Sequence, residues 1–288
     1  MRIIKGNTFA HVYSESLRQL LNDAEYETSP RGLKIKEITN MTMVIEDPVQ
    51  CLYKNNIRSS QLKYICAEII YYFAGRSDLE FIEKYAPFWR QIANEDGTIN
   101  SAYGNLLFTQ KNIHGYSQWQ WAMQSLIKDK DSRQALMLFN KPQYQYSSNK
   151  DFICTLSGMF NIRNNKLNFT INMRSNDCMK GTPTDIAFFC LLQQQALKLL
   201  KQYYPELEMG TYTHIANSYH LYENDFDKTK QMLEQPFASN RFDDIGLNFI
   251  DIDGFRSDDL HDLIYSIENS TLFETNDAFF HTIKTKLS

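Results

Sequence analysis

The sequence lacks the features that define several common protein classes. It has no CxxC pair, and its five cysteines (Cys51, Cys66, Cys154, Cys178 and Cys190) are odd in number. A disulfide framework and a zinc site are therefore disfavoured, and a reducing, intracellular setting is expected. No apolar h-region occurs in the N-terminal MRIIKGNTFAHVYSESL, and no apolar run approaches the length of a bilayer span. The chain is expected to be soluble and cytoplasmic, with no membrane partner. Excess positive charge is also missing. The net charge is −4, which argues against a general nucleic-acid coat and against DNA binding, but leaves room for a small phosphate pocket. There is no internal repeat and no low-complexity linker.

What is present suits a packed core. Hydrophobic residues make up 43% and aromatic residues 14% of 288 residues, compatible with one large α/β unit. Helical spacing of apolar residues runs from Thr8 to about Ala24, and Pro30-Arg31-Gly32 breaks it. Leu33–Glu46 reads as a strand or two. Gln61–Phe73 is an almost continuous apolar helix ending at Gly75, with Glu68 inside it. A second helix is expected from Asp78 towards Trp89, and a third over Tyr116–Lys128. Phe152–Leu156, Lys166–Met173 and Thr211–Tyr222 read as strands, and the longest apolar helix runs from about Pro183 to Leu200. From Asp225 onward the pattern is helical, then mixed. The class is α/β or α+β, with a mixed sheet and a long buried central helix.

Several residues could carry chemistry. On its own Cys154 says little, because a cysteine in an apolar strand is most often a small buried hydrophobe. The segment Arg174–Asp185, RSNDCMKGTPTD, says more: an arginine fork beside a serine hydroxyl makes a compact oxyanion receptor. Thr182-Pro183-Thr184-Asp185 resembles a helix start, with Thr182 as N-cap and Asp185 closing a capping box. A carboxylate at Glu68 is costly to bury unless it is paired or functional. His220 and Tyr222 lie two apart and share a strand face. His214 and His220 lack metal-ligand partners at useful spacing, so no metal is expected.

Taken together, RSNDCMKGTPTDIAFFCLLQQQALKLL and HIANSYHLYEN resemble the signature of the thymidylate synthase superfamily, approximately RSxDxxxGxPxNIAxYxLLxxxxA and then HxYxN. Cys154 lies twenty residues before Arg174, the family's spacing between nucleophile and phosphate arginine. AEIIYYFAGRSD resembles the helix carrying the glutamate that organises proton transfer, here Glu68. FWRQIANEDGTINSAYG places Trp89 and Tyr103, DSRQ places Arg133, and DIDGF resembles the family's EIEGY. The resemblance covers about Leu17 to Phe255. It implies a thymidylate-synthase-like fold over 1–288, with a divergent segment at 256–288, and a sheet-to-sheet homodimer. Arg31, Arg174, Ser175 and the partner's Arg133 would hold a nucleotide phosphate, and His220 and Tyr222 the sugar hydroxyl. Trp89, Asp177 and Gly181 would face 5,10-methylenetetrahydrofolate, the co-substrate.

The departures point to a particular branch. The family's base-reading Asn is Asp185 here, as in its deoxycytidylate hydroxymethylases. An amide suits uracil, whereas a carboxyl group can accept from the cytosine amine and share a proton with N3. The Pro before the nucleophile and the His after it are absent from Ile153-Cys154-Thr155. Gln134 replaces a second arginine, Arg90 an aspartate, and a long tail the short closing one. The expected activity is transfer of a one-carbon unit to C5 of dCMP with addition of water, giving 5-hydroxymethyl-dCMP. Cys154 would be the nucleophile, with Glu68 ordering water and moving protons and Asp185 stabilising charge on the N3/N4 edge of the base. CMP hydroxymethylation, dCMP methylation, thymidylate synthesis and a non-catalytic nucleotide- or RNA-binding role are the alternatives. Modification of viral DNA is a natural use for the product, in a host cytoplasm.

Overall fold

A computed structural model of the chain describes residues 1–242, 249–271 and 278–287, without the side chains of 278–281. Strand β1 (Arg2–Gly6) leads into α1 (Phe9–Asn22), capped by the Thr8 hydroxyl on the His11 N–H. Strands β2 (Tyr26–Thr28), β3 (Ile35–Ile45) and β4 (Leu52–Lys54) follow. Helix α2 (Leu62–Phe73) is buried along most of its length and ends at Gly75, whose φ of 64° satisfies the left-handed C-terminal turn.

The helix expected over Asp78–Trp89 is two short ones, α3 (Leu79–Ile82) and α4 (Trp89–Ile92). Pro87 lies between them and disfavours helical geometry at Ala86. Helix α5 (Gln118–Lys128) precedes β5 (Leu136–Leu138). Then come β6 (Thr155–Arg163), β7 (Lys166–Met173), β8 (Asn176–Asp177), α6 (Thr182–Leu200) and β9 (Glu208–Tyr222). Helix α7 (Phe226–Leu233), β10 (Ala238–Asn240), α8 (Asp258–Asn269) and α9 (Ala278–Leu287) complete the described elements. Within the divergent segment 256–288, residues 272–277 and 288 lie outside the description. None of the described helices is long and apolar enough to cross a membrane.

The main sheet is mixed, in the order β1-β3-β9-β7-β6-β5, with β2 on β3 and β8 on β9. β9 runs parallel to β7 and antiparallel to β3. One face buries Phe160, Phe169, Ile171, Tyr212 and Met43 against α6, with Phe160 and Phe169 stacked at 4.0 Å. The opposite face presents Thr42, Val44, Ser157, Met159, Thr170, Asn172, Thr213 and Ile215, half-buried and uncharged. Helices α8 and α9 pack behind α2, where Arg76 bonds both Asp78 and Glu268.

Candidate active site

Twenty positions separate Cys154 from Arg174, and the chain between them is a β-hairpin. β6 and β7 pair antiparallel around Asn164-Asn165, whose φ values of 51° and 56° are those of a primed hairpin turn. Arg174 thus returns beside Cys154, its N–H donating to the Cys154 carbonyl at 2.8 Å. Cys154 stands just before the strand rather than inside it, and a register shift between Thr155 and Ser157 turns the chain at this mouth. The Arg174 guanidinium wraps the same loop. It donates to the carbonyls of Ile153 (3.0 Å) and Phe152, lies over the Phe152 ring, and brings Nη2 to 3.5 Å from Cys154 Sγ.

The Arg174 charge pulls the Cys154 pKa down. Burial pushes it up more strongly, Asp185 and Asp151 add to the rise, and the net direction is upward. The resting group is a thiol. Arg31 also acts on Cys154, from an exposed turn where it adopts φ 54°.

α2 supplies the opposite wall. Glu68 is buried, and burial raises its pKa from 4.5 to about 8, with the charge on Asp185 adding to the rise. Two phenols one helical turn away on either side donate to the same oxygen. Tyr64 reaches Glu68 Oε1 at 2.5 Å and Tyr72 at 3.4 Å. Trp89 is buried with its Nε1–H on the Tyr64 oxygen at 3.0 Å, so it offers the pocket only ring surface. Tyr103 stacks on Tyr72 at 5.1 Å and accepts from the Thr155 hydroxyl at 2.8 Å. Gly104 makes that approach possible, because a Cβ there would sit 1.6 Å from the Tyr72 carbonyl oxygen.

Asp185 lies among these groups, in the first turn of α6. Burial raises its pKa from 3.8 to about 7. The capping box expected from the sequence is not made. The helix opens at Thr182 with Gly181 as N-cap and no side-chain cap, and the Asp185 carboxyl instead accepts from Asn176 Nδ2 at 2.8 Å. A side chain at Gly181 would press on both partners, 3.0 Å from Asn176 Nδ2 and 3.2 Å from Asp185 Oδ2.

Asp177 turns the loop into α6, its Oδ1 accepting the N–H groups of Met179 and Lys180. β8 lies along β9, which sets Asp177 opposite His220. The His220 ring meets Tyr222 edge-on at 5.1 Å, and only its Nδ1 faces Ser218. Ser175 is half-buried next to Arg174.

Cys154, Arg174, Glu68, Asp185 and Tyr103 therefore meet in one electrostatically coupled pocket, and His220 and Tyr222 come alongside on β9. Arg133 does not join them. It is exposed in a separate depression of about 350 Å³ with Asp129, Asp131, Ser132 and Gln134. The tyrosine clamp on Glu68 and the Asn176 bond to Asp185 were not anticipated. The clamp had a legible signal, tyrosines four residues before and after the glutamate. No described group of three or more His, Cys, Asp or Glu side chains is arranged to hold a metal ion.

A nucleophile, an arginine and two carboxyls whose pKa values are raised to about 7 and about 8 suit covalent acid–base chemistry on a polar, anionic substrate. The thymidylate synthase family model matches residues 11–273, and the chain belongs to this family of one-carbon transferases. Among individual relatives, it is 30% identical over 173 residues to deoxycytidylate 5-hydroxymethyltransferase of Enterobacteria phage T4, over 58% of this chain and 67% of the phage enzyme. It is 26% identical over 237 residues to deoxyuridylate hydroxymethyltransferase of Bacillus phage SP01, over 78% and 60%. Thermostable thymidylate synthase A from Bacillus subtilis shares the fold, with a TM-score of 0.64 at 18% identity over 83% of this chain and 87% of that one.

Proposed function

We propose that this protein is a deoxycytidylate 5-hydroxymethyltransferase, converting dCMP and 5,10-methylenetetrahydrofolate, with water, to 5-hydroxymethyl-dCMP and tetrahydrofolate. The observation that carries the reading is the Asp185 carboxyl in the pocket, with a pKa near 7. A neutral carboxylic acid donates to an N3 that bears no hydrogen and accepts from a C4 amine, which is the edge of cytosine. With its proton on the other oxygen the same acid would pair with the N3–H and O4 of uracil, so the choice of base depends on which oxygen carries the proton.

Cys154 Sγ forms the bond to C6. The proton lost from sulfur passes to solvent water, and Asp185 lends its own proton to N3, so charge does not accumulate on the ring. C5 then becomes the nucleophile. The folate supplies a one-carbon unit at the oxidation level of formaldehyde. Asp177 fits the folate's amine and ring N–H donors, since Oδ1 is engaged by the loop and Oδ2 has no bond among the described residues. Trp89 fits as an apolar wall, its N–H already satisfied by Tyr64. Gly181 leaves the loop slim beside them.

Glu68, with Oε1 held by Tyr64 and Tyr72, works through Oε2. Once ionised it accepts the C5 proton through water and passes it to the departing folate nitrogen. The bond from that nitrogen to the transferred carbon breaks and leaves an exocyclic methylene. Restored to the carboxylate, Glu68 deprotonates the water that adds there. Expulsion of Cys154 frees the product. Arg174, Ser175, Arg31 and a partner subunit's Arg133 would hold the phosphate, and His220 and Tyr222 the sugar. The uncharged centre of the outward sheet face and the placement of Arg133 apart from the Cys154 pocket support a sheet-to-sheet homodimer. We read 1–288 as one catalytic unit, acting in the cytoplasm of a virus-infected host.

The test is Asp185→Asn. Preference measured as kcat/KM should shift from dCMP towards dUMP. An unchanged preference would remove Asp185 from base recognition.

A further inference from the structure

His214 has no part in the chemistry above, yet it is fully buried and bonded on both ring nitrogens. Tyr212 Oη lies 2.9 Å from Nδ1, and Asn176 Oδ1 lies 3.1 Å from Nε2. Asn176 in turn donates from Nδ2 to Asp185 Oδ2 at 2.8 Å. Four side chains thus form one line from the core, through β9 and β8, to the base-reading carboxyl. Its direction follows from donor and acceptor roles. The Asn176 carbonyl oxygen can only accept, so His214 must carry its proton on Nε2 and accept on Nδ1 from the Tyr212 hydroxyl. Burial drives the His214 pKa down from 6.5 to about 3, so the ring holds one proton, and burial also keeps Tyr212 protonated. The Thr182 hydroxyl donates to the same Asn176 oxygen, which further fixes the amide.

We propose that His214, with Tyr212 and Asn176, is a positioning residue for substrate choice: it decides which oxygen of Asp185 carries the acid proton. With the amide locked, Oδ2 always receives a hydrogen bond and serves as the carbonyl oxygen of the acid. The proton then resides on Oδ1, which has no bond among the described residues. Oδ1 is a donor, matched to the bare N3 of cytosine. If the amide were free to turn, Asn176 Oδ1 would face Asp185 Oδ2 and draw the proton there. Oδ1 would become an acceptor, matched to the N3–H of uracil. The relay therefore discriminates partly by denying the wrong base a partner. This rests on the reading of Asp185 given above.

Two measurements on the full chain test it. Nitrogen-15 NMR of the imidazoles should show His214 as the neutral Nε2–H tautomer, and an Nδ1–H tautomer or an imidazolium overturns the relay without reference to any nucleotide. Binding of dCMP and dUMP should then be compared in wild type, His214→Phe, His214→Gln and Tyr212→Phe. His214→Phe is expected to lower the dCMP-to-dUMP affinity ratio about tenfold. His214→Gln, which can still donate to Asn176, should retain most of the ratio, and Tyr212→Phe should lower it less than His214→Phe. Equal weakening of both nucleotides, as from a merely structural role, overturns the proposal. If His214→Phe fails to fold, an unchanged ratio in Tyr212→Phe with a lost tautomer preference does the same. A wild type that prefers dUMP overturns the reading of Asp185 and the relay together, whereas a dCMP-preferring wild type whose ratio survives His214→Phe overturns the relay alone.

Discussion

The pocket holds its two carboxyls by opposite means. Glu68 is clamped by its own helix, with Tyr64 and Tyr72 one turn to either side. Asp185 is held by a residue nine positions earlier in the chain, backed by a histidine from β9. Burial makes both harder to ionise, to about 8 and about 7. The supports differ in what they leave free. In the proposed reaction Glu68 would use its free oxygen for proton traffic with water, and Asp185 its free oxygen for reading a base. A local clamp suits a group that must cycle between protonation states. A relay anchored in the core suits one that must present a fixed donor.

The comparison breaks most sharply at the carboxyls themselves. Glu68→Gln should lower kcat by roughly 10²- to 10⁴-fold and leave the order of nucleotide preference intact, whereas Asp185→Asn should change the preference. Steady-state kinetics with dCMP and dUMP separates the two, and a change of preference in Glu68→Gln would erase the division of labour.

Stability against pH gives a second test. Glu68 moves from 4.5 to about 8 and Asp185 from 3.8 to about 7, so the folded chain holds protons that the unfolded chain has released. Their contribution is fully present below the unfolded pKa values and is lost as pH rises through the folded ones, several kcal/mol in all. His214 has the opposite sign: its folded pKa of about 3 gives stability above 6.5 that is lost as pH falls. Denaturant unfolding should show stability falling between about pH 5 and about pH 8, with a flatter slope in Glu68→Gln. An unchanged slope in that variant would mean that Glu68 does not hold its proton in the folded state.

A smaller effect is expected at the clamp. Tyr64→Phe removes the 2.5 Å bond and Tyr72→Phe the 3.4 Å one. Both bonds favour the ionised carboxylate, so each loss should move the Glu68-dependent limb of the pH–rate profile to higher pH, by about one pH unit or less. Tyr64→Phe should have the larger shift, and the reverse order would contradict the geometry.

The same contrast shows what could be read in advance. The spacing that brings Arg174 back to Cys154 is legible only through the family resemblance, while local patterns are legible in the alternation of Lys166–Met173 and the glycine stop after Phe73. Glu68 with its flanking tyrosines belongs to that class, although the tyrosines went unremarked. The Asp185 environment does not. A helix-start pattern at Thr182 suggested a capping box, and only the approach of β8 lets Asn176 take the carboxyl instead. Tyr212 and His214 share a strand face by parity, but nothing local pairs them with Asn176. The first strand, Arg2–Gly6, was missed because a short edge strand leaves little periodicity. The stretch Ser157–Arg163 is hard to read as a strand because a glycine stands on its buried face at 158 and an apolar Met159 on its outward face, which blurs the alternation.

The central claim is the identity of the product. The full chain should be incubated with 5,10-methylenetetrahydrofolate and, separately, dCMP, dUMP and CMP, and the nucleotides weighed by mass spectrometry. A hydroxymethyl gain on dCMP, with tetrahydrofolate released, is the predicted result. A methyl gain with dihydrofolate formed, or a gain confined to dUMP, would contradict it.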